Sequence, residues 1–166
     1  PFPSWEADQD LNSAMQNSVN WYFQAIDSQL GINRVQEFLN KIEYGNQTTS
    51  SNLDLYWSDF SLKISPLEQV TLLKKFNTNE FHLNFQNVFS VKNAIKIAST
   101  PNGNFYGKTG TGRVNGQDIN GWFIGYVETS DNSYYFATNI QSDSNATGKK
   151  AFEITSDILK KLHIWN

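Results

Sequence analysis

The lysine, hydroxyls and glycines of "FYGKTGTGR", residues 105–113, form a set suited to holding an anionic acyl compound against bare backbone. Glycine beside a strand residue lets a ligand lie along the main chain. If Lys108, Thr109, Gly110 and Thr111 form a strand edge, its N–H groups can donate to an oxyanion or to a ligand amide. Lys108 adds a fixed positive charge, and the hydroxyls of Thr109 and Thr111 can hold a carboxylate. The plain alternative is a glycine-rich strand with a solvated lysine. A phosphate loop is rejected: "GKT" is present, but the first glycine of the Walker pattern is missing, and a strand rather than a helix follows. Two other short stretches could add chemistry. In "NSVN", residues 17–20, Ser18 and Asn20 stand two apart at a helix junction and can aim a hydroxyl and an amide into one cleft. Helix capping would explain them without any chemistry. In "YGN", Tyr44-Gly45-Asn46, a helix C-cap is the simplest reading.

The elements that must position these residues are visible in the apolar spacing. Leu11, Ala14, Met15, Val19, Tyr22, Phe23, Ile26 and Leu30 step by three and four, which is helical, and Gly31 supplies the stop. Asn and Ser suit helix ends better than interiors, so two helices are expected to meet at Asn17–Asn20. Asn33 can cap a third helix with Val35, Phe38, Leu39 and Ile42 on one face, ending where Gly45 permits a left-handed cap. Residues 46–63 lack periodicity but contain Leu53, Leu55, Tyr56, Trp57 and Phe60, so this loop is expected to be packed. In "SPLEQV" a capping Ser65, Pro66 at the first helical position and Glu68 three residues past the cap mark a firm helix start. A further helix is expected over 84–98.

From Asn104 the pattern becomes β. "NFYGKTGTGR", "GWFIGYVET" and "SYYFATNIQ" read as strands, joined by turn chemistry at Asn115–Gly116 and Asp131–Asn132. A last helix is expected from about Gly148 to Leu162, with Ile154, Ile158 and Leu162 facing inward. The fold class is therefore α+β, mostly helical over 1–103, with three strands and a C-terminal helix over 104–166. Three strands are few for a covered sheet, which predicts an upstream portion supplying more.

Composition narrows the function classes. The 166 residues are 39% apolar, 14% aromatic and 17% charged, a globular composition sized for one domain. Thirteen basic and sixteen acidic residues give a net charge of −3, which argues against nucleic acid or an anionic membrane as partner. With no cysteine, disulfides, thiolate metal sites and a cysteine nucleophile are excluded. His82 and His163 lie far apart without neighbouring ligand types, which argues against a metal site. No apolar run approaches the roughly 20 residues that span a bilayer, and "PFPSW" reads as extended linker. A targeting or membrane segment is expected outside this chain.

Taken together, Ser18-Val19-Asn20 and Lys108-Thr109-Gly110 stand in the order of the second and third motifs of the set Ser-x-x-Lys, Ser-Asp-Asn, Lys-Thr-Gly. The chain resembles the penicillin-recognising serine acyl-enzymes. Within them it is similar to the group of class D β-lactamases and BlaR/MecR-type β-lactam sensors, through "YGN", "LDLYW", "LKISPLEQV", "KTGTG" and "GWFIGYVE". The stretch "DLNSAMQNSVNWYFQ" resembles the sensors in particular.

The resemblance implies a β-lactamase/transpeptidase-like fold: an antiparallel sheet flanked by helices, plus a helical subdomain. It implies that Ser18 relays a proton between the nucleophile and the leaving β-lactam nitrogen, with Lys108 supporting the relay electrostatically. Thr109 and Thr111 would bind the antibiotic's carboxylate, and the N–H of Thr111 would be half of an oxyanion hole on the Lys108–Thr111 strand. Asn20 would bond the acylamide side chain or the base lysine, Trp57 would lie next to that lysine, and Tyr44 and Asn46 would support the site. Among sixteen serines none is followed three residues later by lysine. The nucleophile and its lysine are thus expected upstream, within about 90 residues on ordinary domain sizes. The implied cofactor list is empty apart from a CO2-derived carboxyl group on that upstream lysine. Class D enzymes resemble one another in using such a carboxylated lysine to activate water, with Val at the third position of the second motif. Here Asn20 stands there, and its amide can bond the lysine amine and favour loss of the carboxyl group. The acyl adduct would then persist, which suits a sensor. The implied partners are β-lactam antibiotics and the protein's own membrane-spanning and intracellular effector region, with this part on the extracellular face of a bacterial membrane. A class D hydrolase and a penicillin-binding peptidase are the alternatives. A non-catalytic binding module would draw on Trp57, Trp122 and Tyr126 as exposed aromatics.

Overall fold

The computed structural model describes residues 2–49, 56–58 and 60–165. They form a short 3-10 turn at Pro3–Trp5, then α1 (Leu11–Gln16), α2 (Asn20–Leu30), α3 (Ile32–Lys41), α4 (Pro66–Asn77), α5 (Phe85–Ala94), β1 (Lys96–Thr100), β2 (Gly103–Val114), β3 (Gln117–Thr129), β4 (Ser133–Gln141) and α6 (Gly148–Lys161). The chain divides into a helical unit, Pro1–Ser65 with Lys75–Ile95, and a sheet unit, Pro66–Lys74 with Lys96–Asn166. The class is α+β, as expected.

In the helical unit, α1 starts with a reciprocal cap. The Asp10 carboxylate accepts from Ser13 N–H at 2.8 Å while Asp10 N–H donates to Ser13 Oγ at 2.9 Å. The expected break between α1 and α2 is present, at Asn17–Val19. Asn33 does not cap α3. Gly31, at φ 78, both ends α2 and precedes α3, so Asn33 lies inside the first turn. Two left-handed residues follow α3: Glu43 directly past its end, at φ 54, and the expected Gly45, at φ 49. Gly45 is needed for a close approach as well, because a Cβ there would stand 1.8 Å from the Lys63 carbonyl oxygen. The buried stripe of α3 is narrower than expected: Val35 and Leu39 are buried, while Phe38 is 46% exposed. Tyr56 completes that core, flanked by Tyr44, Trp57 and Leu62, so the described part of the 46–63 loop is packed. Leu53 and Leu55 lie outside the described residues.

The sheet unit has four antiparallel strands in the order β1-β2-β3-β4, one more than the sequence suggested. The extra strand is β1. The helix expected over 84–98 ends at Ala94, and Lys96–Thr100 turns back to pair with Gly103–Tyr106. Asn115 and Gly116, at φ 49 and 79, make the expected tight turn between β2 and β3. Side chains alternate across the sheet. Phe105, Phe123 and Val127 meet Ala151 and Leu159 of α6 in one aromatic core, in which the Phe105 ring lies 6.0 Å from that of Phe123 and 5.5 Å from that of Trp165. Tyr106, Tyr126 and Tyr135 line the other face in register across β2, β3 and β4, with ring centroids 4.7 and 5.6 Å apart.

The inward face of α6 differs from the expectation. Ile154, Ile158 and Leu162 are 36%, 48% and 61% exposed, whereas Gly148, Ala151, Thr155 and Leu159 are buried. Hydrophobicity picks the first stripe and volume picks the second. The strands already present large phenylalanines, so the helix comes close where Gly148, Ala151 and Thr155 are small, while Leu159 and Phe152 pack into the same core. Thr155 is accommodated because its hydroxyl bonds Ala151 O at 2.8 Å and lies 2.7 Å from the Thr138 hydroxyl. Ala151→Leu should therefore lower stability by about 1–3 kcal/mol through overpacking. Thermal unfolding measures this, and an unchanged midpoint would place another face of α6 against the sheet.

Candidate functional site

The sequence-predicted residues fall into two groups, one in each unit. In the sheet unit the decisive feature is how far β1 reaches. It pairs with β2 only up to Tyr106, with a register shift between Lys96 and Ala98, while β3 pairs with β2 along its whole length. From Gly107 to Val114, therefore, the outer edge of β2 has no strand beside it among the described residues. Exposure changes at the same point. Phe105–Gly107 are buried, Lys108 is half-buried and Thr109–Thr111 are exposed. Lys108, Thr109, Gly110 and Thr111 thus form the open strand edge that their types suggested.

Three contacts set this edge. Lys108 Nζ donates to Thr109 O at 2.9 Å, and burial pushes its pKa below the ordinary 10.5. Thr111 Oγ1 accepts from the N–H of Gly148 at 2.9 Å, which leaves the Thr111 proton to be donated elsewhere. Gly148 opens α6 and is pressed against the strand: a Cβ there would lie 2.7 Å from Gly110 O and 2.9 Å from Gly110 N. The positive end of the α6 dipole therefore ends beside Thr111, where it favours an anion. Sequence reasoning missed Gly148. Its signal is the Thr147–Gly148 helix start, where Thr147 Oγ1 accepts from Lys150 N–H at 3.1 Å, but nothing in the sequence says where that start docks.

In the helical unit, Ser18 and Asn20 flank the break between α1 and α2. Ser18 is left-handed at φ 51. Val19 is wholly buried, with its N–H on Ala14 O at 2.8 Å. The residue capping α2 is Val19, which makes no side-chain cap bond, and Asn20 is the first residue of the helix. Asn20 opens α2 and is exposed, whereas Ser18 is half-buried.

Tyr44, Asn46 and Trp57 gather around the loop that leaves α3. Asn46 closes its neck. Its Oδ1 accepts from Lys63 N–H at 2.9 Å, its Nδ2 donates to Ser61 O at 2.7 Å, and its own N–H donates to Lys63 O at 2.9 Å. Tyr56 plugs the loop into the helices and donates its hydroxyl to Asp27 Oδ2 at 3.2 Å. Burial, then the Asp27 charge, hold that phenol well above its ordinary 10.0, and burial raises that of Tyr44 in the same direction. Tyr44 and Asn46 thus hold the loop that presents the half-buried Trp57. Of the three aromatics that a simple binding module would draw on, Tyr126 is wholly buried and Trp57 and Trp122 are half-buried.

Comparison with known proteins adds the following. The family model described as "Penicillin binding protein transpeptidase domain" matches residues 1–160. The methicillin resistance mecR1 protein of Staphylococcus aureus is 44% identical over 164 residues, which is 99% of this chain and 28% of that protein. The C-terminal domain of the Bacillus licheniformis BlaR penicillin-receptor superposes with a TM-score of 0.95 at 46% identity, covering 100% of this chain and 67% of that one. A class D β-lactamase from Bacillus subtilis superposes with a TM-score of 0.92 at 38% identity, covering 100% and 68%. The chain thus spans less than a third of the curated relative it matches.

Asn46→Ala removes the side-chain bonds at the loop neck, which together contribute roughly 2 kcal/mol of local closure. Amide exchange at Lys63 should rise about 30-fold on that figure. An unchanged rate would mean that the Gly45 contact and the backbone bond from Asn46 N–H to Lys63 O suffice to close the neck.

Proposed function

We propose that this chain, which belongs to the penicillin binding protein transpeptidase domain family, is the C-terminal two-thirds of a β-lactam receptor domain whose acylation on a serine reports the antibiotic. The observation that carries the reading is the open edge of β2 beyond Tyr106, with Lys108 beside it and exposed backbone from Thr109 to Thr111. A β-lactam has the matching parts. Its acylamide arm can add to the edge as a short strand. Its carboxylate can take the hydroxyls of Thr109 and Thr111, next to the Lys108 charge and the start of α6. Its carbonyl, on becoming an oxyanion, can take the N–H of Thr111.

In the step assigned to these residues, a serine oxygen bonds the lactam carbonyl carbon and the ring C–N bond breaks. The serine proton passes through the Ser18 hydroxyl to the departing nitrogen, and Lys108 stabilises the charge that develops. The nucleophile of this reading is a serine outside these 166 residues, because none of those present has the required lysine three residues on.

Reception rather than hydrolysis is favoured by Asn20. Hydrolysis of the adduct needs a base for water, and the class D base is a carboxylated lysine. An amide at position 20, exposed and not used as a cap, can bond the lysine amine and favour loss of the carboxyl group. A class D hydrolase is the second reading, supported by the superposition on the Bacillus subtilis enzyme. Among the described residues no helix is long and apolar enough to cross a membrane. In the receptor reading the anchor and the intracellular effector belong to other parts of the protein, and this part faces the cell exterior.

Intact mass after exposure of the full-length protein to penicillin tests the reading. An adduct that lasts for hours is expected, and loss within minutes would assign a hydrolase. Asn20→Val should shorten the adduct lifetime at least tenfold if the amide suppresses the base, and an unchanged lifetime removes that role. Lys108 adds a pH prediction. Its folded pKa is lowered, so burying its charge opposes folding below that pKa, and this penalty fades as pH rises towards 10.5. Acylation should correspondingly fall along an alkaline limb centred below 10.5. Lys108→Arg keeps the charge and should remove the limb, whereas an unmoved limb belongs to another group.

A further inference from the structure

The junction that carries Ser18 is held from outside the helices it joins. Ser18 is left-handed, a conformation that side chains disfavour, and its N–H reaches Met15 O at a long 3.3 Å. The carbonyl just before it, Asn17 O, accepts the indole N–H of Trp5 at 3.1 Å. Trp5 is fixed in turn. Its N–H closes the 3-10 turn onto Phe2 O at 2.8 Å, and Trp21, in the first turn of α2, donates its indole N–H to Trp5 O at 2.9 Å. Asn17 is also tied back to α1, by its N–H and its Nδ2 on Ser13 O at 3.0 and 2.9 Å. Two indole bonds therefore connect the end of α1 and the start of α2 through a single turn, and Ser18 lies between them.

We propose that Trp5 is a positioning residue for Ser18. Its indole N–H, set by Trp21, fixes the plane of the Asn17–Ser18 peptide so that the Ser18 hydroxyl stays aimed for proton transfer. This rests on the reading of Ser18 as the relay. Rotation of that peptide about its flanking bonds would swing the Ser18 Cα–Cβ bond, and the buried Val19 on the far side blocks any compensating shift. An indole suits the task because its nitrogen is a donor only and its ring is rigid. A misplacement of about 1 Å is enough to slow a positioned reaction 100-fold.

The test is a double-mutant cycle on the full-length protein, pulse-labelled with a fluorescent penicillin and quenched at intervals, so that acylation rate and pre-covalent affinity separate. Trp5→Phe should slow acylation about tenfold and leave affinity within about twofold. In a Ser18→Ala background the same substitution should change the rate less than about twofold, because its effect passes through Ser18. Equal slowing in both backgrounds, or no slowing in the parent, overturns the proposal. Ser18→Ala acylating at the parent rate would overturn the relay reading itself and the positioning role with it. If Trp5→Phe does not fold, benzothienylalanine at position 5 keeps the ring shape without the donor, and the same outcomes decide. Trp21→Phe, one bond further away, should give a smaller slowing in the same direction.

Discussion

The short reach of β1 is the constraint on which the rest of the sheet unit depends. An unpaired strand edge presents N–H and C=O groups that must find water, a ligand or another strand. Here the edge opens where β1 pairing stops, at Tyr106, and the strand changes character at that residue. Below it, β2 contributes Phe105 and Tyr106 to two buried layers; above it, as far as Gly112, the residues are a lysine, two threonines and glycines. The lysine and the glycine-rich twist also protect the edge, since a long flat apolar edge would pair with other chains.

The precision of that edge comes from the layer behind it. α6 reaches the strand because Gly148, Ala151 and Thr155 are small, while its Phe152 packs against Phe105 and Phe123 of the sheet. That close approach brings the Gly148 N–H to Thr111 Oγ1 and the first turn of α6 to the Gly110 backbone. A change deep in this core would therefore be felt at Thr111 through rigid contacts, because close-packed interiors transmit displacement rather than absorb it. The helical unit repeats the principle by other means. Gly45 and Asn46 close a loop neck, Tyr56 plugs the loop into α3, and two indoles brace the Ser18 turn.

Much of this was legible in the sequence, and the exceptions have physical causes. The break at Asn17–Val19, the helix start at Pro66 and the Asn115–Gly116 hairpin are local decisions, made by residues whose backbone or hydrogen-bonding preferences act within a turn. β1 was missed because five residues that follow a helix without a glycine or proline carry no boundary signal; they become a strand only by pairing with Phe105 and Tyr106. The buried face of α6 was misread because hydrophobicity favours Ile154 and Ile158, whereas the face that meets the phenylalanines is Gly148, Ala151, Thr155 and Leu159, set by fit rather than by hydrophobicity alone. The left-handed turn at Gly45 was legible, but its close approach to Lys63 was not, because that partner lies across a loop. For the site, residue types and order pointed to Lys108, Thr109, Thr111, Ser18 and Asn20. The start of α6 at Gly148 is marked in the sequence, but its docking on Thr111 and the indole bonds of Trp5 and Trp21 join groups distant in sequence and leave no pattern.

The gap between a receptor and a hydrolase bears on how Asn20 would have to act. Adduct lifetimes of hours and of seconds differ by roughly four decades, or about 5.5 kcal/mol in barrier height. A single hydrogen bond contributes about 1–3 kcal/mol even when buried or charged. An amide at position 20 could not produce that difference by weakening a contact to water or to the adduct. It could do so by changing which chemical species is present, since losing a general base removes about two to four decades at once. Under the receptor reading Asn20 therefore works as a selector between two states of a lysine. The roles proposed for Ser18 and Lys108 in acylation can then be shared by both classes of protein without contradiction.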